Sequence, residues 1–486
     1  MLLGHLQHLL LGEVLREDPA QPWAMYLTKL ASLHRISPET SLLLNALSGA
    51  VDLVNNDVRG KLLQLGLGGR PALEQQEIAM LTERGYLFAN KGEEQAALRR
   101  LHDSYEKLRL QRPLQFVVFP TYSCNLACTY CFESSKLRSR PEIMTSQQVA
   151  DLFAAAERIS SEQPDKRCQI VLFGGEPLLP STETVVGEIL SLAAEKSLPA
   201  YVVTNGVHLC KFEPLIRQHL NTLRGAQITL DGPQRVHDAR RKHADGRGSF
   251  AQIVQGVDLC LKLGVEVKLR VNLDAHNLGS LEELADVLKE REWAGNPGFQ
   301  CLLAPVTDHL GSGRYPDLMR EDELVAPVLG LWDRRPELRE MLDFHLFRVL
   351  DHLISVIESG EQAWSPPRFH YCEADRGDTY AFGPDGMVYA CPESVGTARH
   401  AVGLYSPRFK LWPRRLQHWQ NRNVLTLPEC RDCNIATLCG GGCAYAALAR
   451  FGSPAHGVCG GAPEVVKAYV ATLRKRFEAR GLAPVA

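Results

Sequence analysis

The stretch Cys124-Asn-Leu-Ala-Cys128-Thr-Tyr-Cys131 constrains this chain more than any other feature. Its C-x3-C-x2-C spacing puts three thiolates in one loop, where they can hold three irons of a cubane cluster. No fourth cysteine follows, so the fourth iron is left open to bind a small molecule directly. A zinc loop is the alternative reading, but zinc sites normally pair two C-x2-C-type hooks and take four ligands.

The chain around this loop reads as several units. Residues 31–90 form a small α+β module: a hairpin from the apolar runs 41–45 and 50–54 about a Ser48-Gly49 turn, then helices near 56–65 and 72–84, the second stopped by Gly85. Gly66-Leu-Gly68-Gly69 follows a helix rather than a strand, so it is a linker and not a phosphate loop. Residues 91–112 are charged and helix-prone. From 113, strand-like runs at 115–119, 169–173, 200–204, 227–230, 265–272 and 298–303 alternate with helices such as 146–159 and 281–291. Six strands with intervening helices predict a parallel sheet of βα units, with the cysteine loop at the carboxyl end of the first strand, where α/β folds bind ligands. Apolar residues at helical spacing (Met341, Phe344, Phe347, Leu350, Ile354, Ile357) mark 306–370 as a helical connector. Residues 371–465 are rich in cysteine and glycine, and a last helix is expected at 465–482. The domains expected are therefore 1–90, the linker 91–112, 113–305, 306–370, 371–465 and a terminal helix over 466–486.

Two further arrays carry chemistry. After the second strand comes Gly174-Gly175-Glu176-Pro177, where a glycine pair lets backbone approach a ligand closely and the Glu176 carboxylate offers a partner to an ammonium group. Near the C-terminus, Cys372-x13-Gly386-x4-Cys391 is followed by Cys430-x2-Cys433-x5-Cys439-x3-Cys443-x15-Cys459. With 14 cysteines in 486 residues and no small secreted scaffold, metal or cluster ligands are the expectation rather than disulfides. A zinc ribbon is the alternative for the second array. Cys168, Cys210 and Cys260 read as buried apolar residues.

The triplet together with Gly174–Pro177 resembles the signature of the radical S-adenosylmethionine (SAM) enzymes, in which the open iron chelates the amino and carboxylate groups of SAM. The resemblance implies a partial (β/α)6 TIM-like barrel and gives Gly174, Gly175, Glu176 and Pro177 to the methionine end of SAM. Thr204 and Asn205, ending the third strand, and Thr229 and Asp231, ending the fourth, look like the polar strand ends that line the SAM site. Arg240 and Arg270 are candidates for the SAM carboxylate or sugar, and Phe132, with Tyr130, for cover over cluster and adenine. The run from Asp231 through His237-Asp238-Ala-Arg240 to Gly248-Ser249-Phe250 resembles the peptide-modifying branch. The C-terminal array resembles the SPASM domain, a twin-cluster appendage of peptide and protein maturases. By that resemblance Cys430, Cys433, Cys439 and Cys459 ligate an outer auxiliary cluster and Cys372, Cys391 and Cys443 an inner one. The inner site lacks the additional cysteine of relatives with four, and is either open to substrate or capped by His370, Asp375 or Cys301.

What this implies is an enzyme with three 4Fe–4S clusters and SAM. An electron from the reduced open cluster would cleave SAM to a 5′-deoxyadenosyl radical, which takes a hydrogen atom from an unactivated C–H bond. The function expected is maturation of a ribosomally made peptide by a cross-link or other oxidative change, with residues 31–90 resembling leader-peptide recognition elements. Formylglycine formation in a sulfatase is the alternative, weakened because those enzymes carry an acidic base directly after the inner cysteine, whereas Cys391 is followed by Pro392 and then Glu393. An electron carrier or zinc scaffold would leave the SAM-like motifs unexplained. The partners implied are a precursor peptide and a flavodoxin- or ferredoxin-type reductant. A net charge of −2 gives no footprint for nucleic acid. No apolar run nears the ~18 residues that span a bilayer, and the stretch around Leu9–Leu11 lacks the basic start of a secretion signal. A cytoplasmic location is expected.

Overall fold

The computed structural model describes residues 25–309, 315–343, 348–358 and 367–480. Residues 1–24, Phe344 and Phe347 of the helical periodicity, and the end of the expected last helix lie outside the described residues.

The N-terminal module is an antiparallel sheet of β1 (Ala31–Arg35), β2 (Thr40–Asn45) and β3 (Val51–Asn55), followed by α1 (Asn56–Gly66) and α2 (Gln75–Glu83). The β2–β3 hairpin turns at Gly49, whose φ of +73° suits glycine. The strand β1 is an addition to the expected hairpin. Helix α2 begins later than Ala72 because Glu77 reaches back to accept from the Glu74 N–H at 2.7 Å, setting the first turn. Gly85 ends it at φ +74°. The module is not an appendage, since Leu42, Leu44 and Leu47 enter the main core. Thr437 Oγ1 donates to Ala46 O at 2.5 Å. Arg474 donates to the carbonyls of Arg35 (2.8 Å) and Ile36 (3.0 Å). Helix α3 (Lys91–Leu110) then leads to the sheet.

Six parallel strands follow in sequential order: β4 (Leu114–Val118), β5 (Cys168–Leu172), β6 (Ala200–Thr204), β7 (Leu223–Thr229), β8 (Glu266–Leu273) and β9 (Phe299–Pro305). Between them run α4 (Ser146–Ser161), α5 (Glu183–Glu195), α6 (Glu213–Gln218), α7 (Gln234–Arg240), α8 (Phe250–Lys262) and α9 (Leu281–Glu290). This is the parallel sheet of βα units that the alternation of runs predicts, in the partial barrel that the resemblance implies. Strand β8 shows why. Val267, Leu269, Val271 and Leu273 are buried on one face, while the alternate residues Arg270 and Asn272 face the lumen. A period of two turns one set toward the helices and the other inward. Helix α9 answers with Leu281, Leu284, Ala285 and Leu288 on one side.

The sheet does not stop at β4. A four-residue strand from the cysteine-rich segment, β10 (Thr379–Phe382), pairs parallel with β4 on the side opposite β5, matching Phe116 to Tyr380 and Val118 to Phe382. The antiparallel strands β11 (Met387–Tyr389), β12 (Gly403–Leu404) and β13 (Lys410–Leu411) extend it to ten. The end strands β9 and β13 do not pair with each other, so the ring stays open. The expected connector contains α10 (Glu321–Arg334) and α11 (Arg348–Glu358). Its periodicity is broken after Met341, because Asp343 bridges to Leu302 beside β9. The last helix, α12 (Ala462–Arg480), packs along α10. No helix among the described residues is long and apolar enough to cross a membrane.

The β4–β10 seam is locked by buried charge. Lys166, just before β5, pairs with Asp378, just before β10, both side chains 1% exposed. Arg376 Nε adds a second bond to Asp378 at 2.7 Å. Removing one member of such a group strands a buried charge. Asp378→Ala should therefore lower stability by about 3 kcal/mol or more, read as a drop in denaturant midpoint.

Candidate active site

The loop after β4 carries Cys124, Cys128 and Cys131, and its shape is set by main-chain bonds to the segment after α7. Ala127 N donates to Lys242 O (2.8 Å) and Thr129 N to Arg240 O (3.0 Å). The segment 231–250 is itself a clamp. His237 Nδ1 accepts from Asp231 N (3.2 Å), and its Nε2 lies 3.0 Å from Ser249 Oγ. Asp238 accepts from the N–H groups of Ser249 (2.8 Å) and Phe250 (2.9 Å). A Cβ on Gly248 would sit 2.2 Å from the Asp238 carboxylate. Burial holds His237 down to about 3, so the imidazole is neutral and can accept the Asp231 N–H.

Gly174-Gly175-Glu176 packs on the same cysteine loop. A Cβ on Gly175 would lie 2.2 Å from Tyr122 O, and one on Gly174 would lie 2.7 Å from Thr121 O. The glycine pair thus admits the backbone of the cysteine loop at close range. Glu176, 1% exposed, accepts from Thr204 Oγ1 (2.6 Å), Leu178 N (2.9 Å) and Asn205 N (2.7 Å). Its carboxylate thereby joins two strand ends. Pro177 is buried beside it, its carbonyl accepting from Thr182 Oγ1 at 2.6 Å. Asn205 Nδ2 reaches Asn125 Oδ1 at 2.8 Å and Cys124 Sγ at 3.9 Å, tying the third strand end to the cysteines.

Asp231 and Arg240 belong to a buried polar knot rather than to an open wall. The guanidinium of Arg240 is bonded to Asp231, Asp274 and the Asn272 carbonyl (2.8 Å), which uses all three nitrogens. Asp231 also receives the Tyr130 hydroxyl and, at 3.0 Å, the Asn272 N–H. Arg241, the neighbour of Arg240, is placed differently. Arg241 Nη1 donates to Tyr130 Oη at 2.8 Å, its Nε is buried without a partner, and it lines the lumen beside Cys128. Burial alone would lower its pKa, but the charges of Cys128, Tyr130 and Asp231 hold it above the ordinary value. The adjacent arginine pair in the sequence was the available signal.

The lumen holds a cavity of about 490 Å³. Cys128, Cys131 and Phe132 line it, as do Cys372, Cys391 and Cys443, with Thr229, Arg241 and Arg270 on the same wall. Cys391 feels the charges of Cys372 and Cys443. Cys433 and Cys439 feel that of Cys459, and Cys430 those of Cys433 and Cys439. The structure thus brings Cys372, Cys391 and Cys443 near one another, and Cys430, Cys433, Cys439 and Cys459 near one another. Burial pushes Cys131 and Cys430 up to about 11 and raises Cys124, Cys391, Cys433 and Cys439. Thiolates in such places need a compensating cation, which iron supplies, so the donor sets fit iron–sulfur clusters. No group of three or more His, Cys, Asp or Glu among the described residues forms a site for a single metal ion.

The three caps suggested for the inner set point elsewhere. Asp375 is engaged by Arg422 Nη1 (2.9 Å) and by the N–H groups of Tyr371 (2.9 Å) and Cys372 (2.8 Å). Cys301 lies on the outer side of β9, in a small hollow with Leu288 and Asp343. His370 packs edge-on against Tyr105, and burial holds it down to about 3. Of the three remaining thiols, Cys260 is buried, Cys168 half-buried, and Cys210 exposed, contrary to expectation. One residue that the sequence did not single out lines the cavity with the inner set, His309 just beyond β9, and so does Glu393, two residues after Cys391.

Residues 118–288 match the Radical SAM superfamily model. The chain is 29% identical to mycofactocin maturase MftC of Mycobacterium ulcerans (strain Agy99) over 384 residues, covering 77% of this chain and 93% of that protein. The chain carries a radical SAM domain, and it is an enzyme. It is also 22% identical to a cysteine-type anaerobic sulfatase-maturating enzyme of Clostridium novyi (strain NT), covering 68% of this chain and 88% of the relative. Among solved structures, anSMEcpe with bound AdoMet superposes with a TM-score of 0.55 at 20% identity, over 76% of this enzyme and 97% of that chain. Streptococcus suis SuiB bound to precursor peptide SuiA gives 0.50 at 15% identity, over 89% and 98%. The enzyme's cofactors are accordingly a 4Fe–4S cluster and SAM.

Because the Gly175 Cα hydrogens face the Tyr122 carbonyl, Gly175→Ala should push the cysteine loop out of register. Iron and sulfide content should fall by about one cluster's worth, with the fold retained by circular dichroism.

Proposed function

We propose that this enzyme matures a ribosomally made precursor peptide, removing a hydrogen atom to install a cross-link or other oxidative change, in the cytoplasm with a flavodoxin- or ferredoxin-type reductant. The observation that carries the reading is one lumen cavity lined by Cys128 and Cys131 together with Cys372, Cys391 and Cys443. In this reading Cys124, Cys128 and Cys131 hold the SAM cluster, Cys372, Cys391 and Cys443 the inner auxiliary cluster, and Cys430, Cys433, Cys439 and Cys459 the outer one. With SAM bound, the reduced cluster supplies one-electron cleavage of the sulfonium. The chain's own work is positioning. Arg241 and Arg270 offer cations for the carboxylate or ribose, Thr229 and Asn272 offer hydrogen-bond partners on the lumen wall, and Phe132 covers the mouth. Glu176 and Asn205 act through the loop they brace.

Residues 31–90 serve as a leader-binding edge in this reading. Asn45 N bonds to Ala50 O across the hairpin, and ladder bonds alternate from there, so Asp52 and Val54 face β2 while Val51, Leu53 and Asn55 point their main-chain groups outward. Arg84 Nη2 already occupies the Val51 carbonyl at 3.2 Å, which leaves the Leu53–Asn55 end for an added strand. Deleting the module would strip Leu42, Leu44 and Leu47 from the main core, so a point substitution is the cleaner probe.

A second reading, formylglycine formation in a sulfatase, is favoured by one observation: the Glu393 carboxylate does line the cavity, although Pro392 displaces it from the position next to Cys391. Co-expression with a short peptide encoded beside the gene, followed by mass spectrometry, tests the leading reading. Conversion of a Cys or Ser peptide from a sulfatase, with no change in the neighbouring peptide, would favour the second. Cys128→Ala should abolish 5′-deoxyadenosine formation, and normal cleavage would refute the placement of the SAM cluster. Leu53→Pro, which deletes one outward N–H outside the ladder, should leave uncoupled SAM cleavage unchanged. It should raise KM for the full-length peptide by about tenfold, the worth of one or two main-chain bonds. A peptide lacking its leader should show no such change.

A further inference from the structure

The inner auxiliary set has three cysteines, and each cap suggested by the sequence is turned away or already engaged. One further side chain faces the set. His309 follows β9 at the carboxyl end of the sheet and lines the lumen cavity together with Cys372, Cys391 and Cys443. Its ring lies beside the Cys443 side chain. Nε2 lies 3.3 Å from Glu393 Oε1 and 3.0 Å from Thr307 Oγ1. His309 also borders the adjoining hollow of about 620 Å³ that contains Cys439 and Cys443, so the imidazole stands in the partition between the two auxiliary sets.

We propose that His309 is the fourth protein ligand of the inner auxiliary cluster, with Glu393 orienting the imidazole. The inference rests on the reading that Cys372, Cys391 and Cys443 hold a cluster. Three features carry it. The donor count is one short, and a neutral imidazole is an established iron ligand in iron–sulfur centres. The Nε2 nitrogen, when it donates its proton to the Glu393 carboxylate, leaves the lone pair on Nδ1, which fixes the tautomer that a metal requires. The pairing of a ligating histidine with a carboxylate is the arrangement by which metal sites hold ring orientation. Because Glu393 is two residues beyond Cys391, the same turn that presents a thiolate also presents the carboxylate that aims the histidine. That gives Pro392 a purpose: it sets the 3-10 turn Pro392–Ser394, in which Ser394 Oγ donates to Cys391 O at 2.7 Å.

An imidazole in place of a thiolate removes one negative charge from the cluster environment, which raises its reduction potential. A higher potential suits a site that takes an electron from the substrate radical as product forms.

The test uses the full-length chain labelled with 15N-histidine. The background is Cys124→Ala, Cys128→Ala and Cys131→Ala, so that only the auxiliary clusters remain, at about eight irons per chain. After reduction, pulsed electron paramagnetic resonance should show a directly bonded histidine nitrogen. His309→Ala should abolish that coupling. His309→Cys should abolish it while keeping the iron and shifting the inner cluster's midpoint potential negative. Glu393→Gln should keep the coupling, because the carboxylate orients without ligating. A nitrogen coupling that survives His309→Ala, or none in the unsubstituted background with about eight irons present, overturns the assignment. Loss of the inner cluster from both the alanine and the cysteine variants marks His309 as structural and also overturns it. About four irons in the background would mean that no inner cluster forms, which sinks the cluster reading itself.

Discussion

Strand β4 is the piece on which the placement of the remaining parts depends, because both of its edges are used. On one side it pairs with β5, and on the other with β10. The loop leaving β4 carries the cysteine triplet. The loop leaving β5 carries the glycine pair that rests on it. The hairpin that begins with β10 leads to Cys391. Two cysteine sets separated by more than two hundred residues therefore face each other across one lumen, spaced by strand-to-strand hydrogen bonds. The buried Lys166–Asp378–Arg376 group holds the register where it would be easiest to slip, at the start of the short strand β10.

Around this frame, buried polar chemistry does what apolar packing cannot, fixing direction as well as distance. Arg240, Asp231, Asp274, Tyr130 and Asn272 form one network, and Tyr315 joins it through Asp274 at 2.5 Å. Each carboxylate has a cation or several donors, so the desolvation of the ions is offset by mutual attraction. The Arg240 guanidinium sits 4.8 Å from the Tyr130 ring centroid, between the last two cysteines of the triplet and the fifth strand end. Arg422 plays the matching part in the C-terminal segment. It is fully buried, paired to Asp375, and donates to the carbonyls of Gly441 (2.6 Å) and Pro454 (2.9 Å). One guanidinium thereby gathers the glycine run between Cys439 and Cys443 with the segment that leads to Cys459.

The βα alternation and the cysteine spacing were legible because each is local: a strand needs only its own apolar face, and a ligand loop only its own thiols. What the sequence left open was set by distant partners. Thr379–Phe382 has no periodicity to announce a strand, and pairing with the free edge of β4 and with β11 makes it one. Glu176 offered a carboxylate on paper, and only the fold shows that it also braces Thr204 and Asn205. Arg240 and Arg241 are indistinguishable as letters, yet one residue along a short helix separates a buried knot from the lumen wall. His309 lies after the sixth strand, at the strand end where ligands gather in such folds, but nothing in its own neighbourhood names its partners on a segment eighty residues away.

The open ring of the sheet bears on what shape of molecule can be handled. A closed eight-stranded barrel is entered only through its mouth, which suits small molecules and free chain ends. Here β9 and β13 remain unjoined, and among the described residues the free edge of β9 is bonded by the Asp343 segment, so the wall there is a seam of a few bonds rather than a full ladder. A wall parted at that seam would admit an interior residue of a long chain sideways, its neighbours trailing out on both sides, with no end to thread. Selection would then depend on what lies to either side of the reacting residue rather than on where the chain stops.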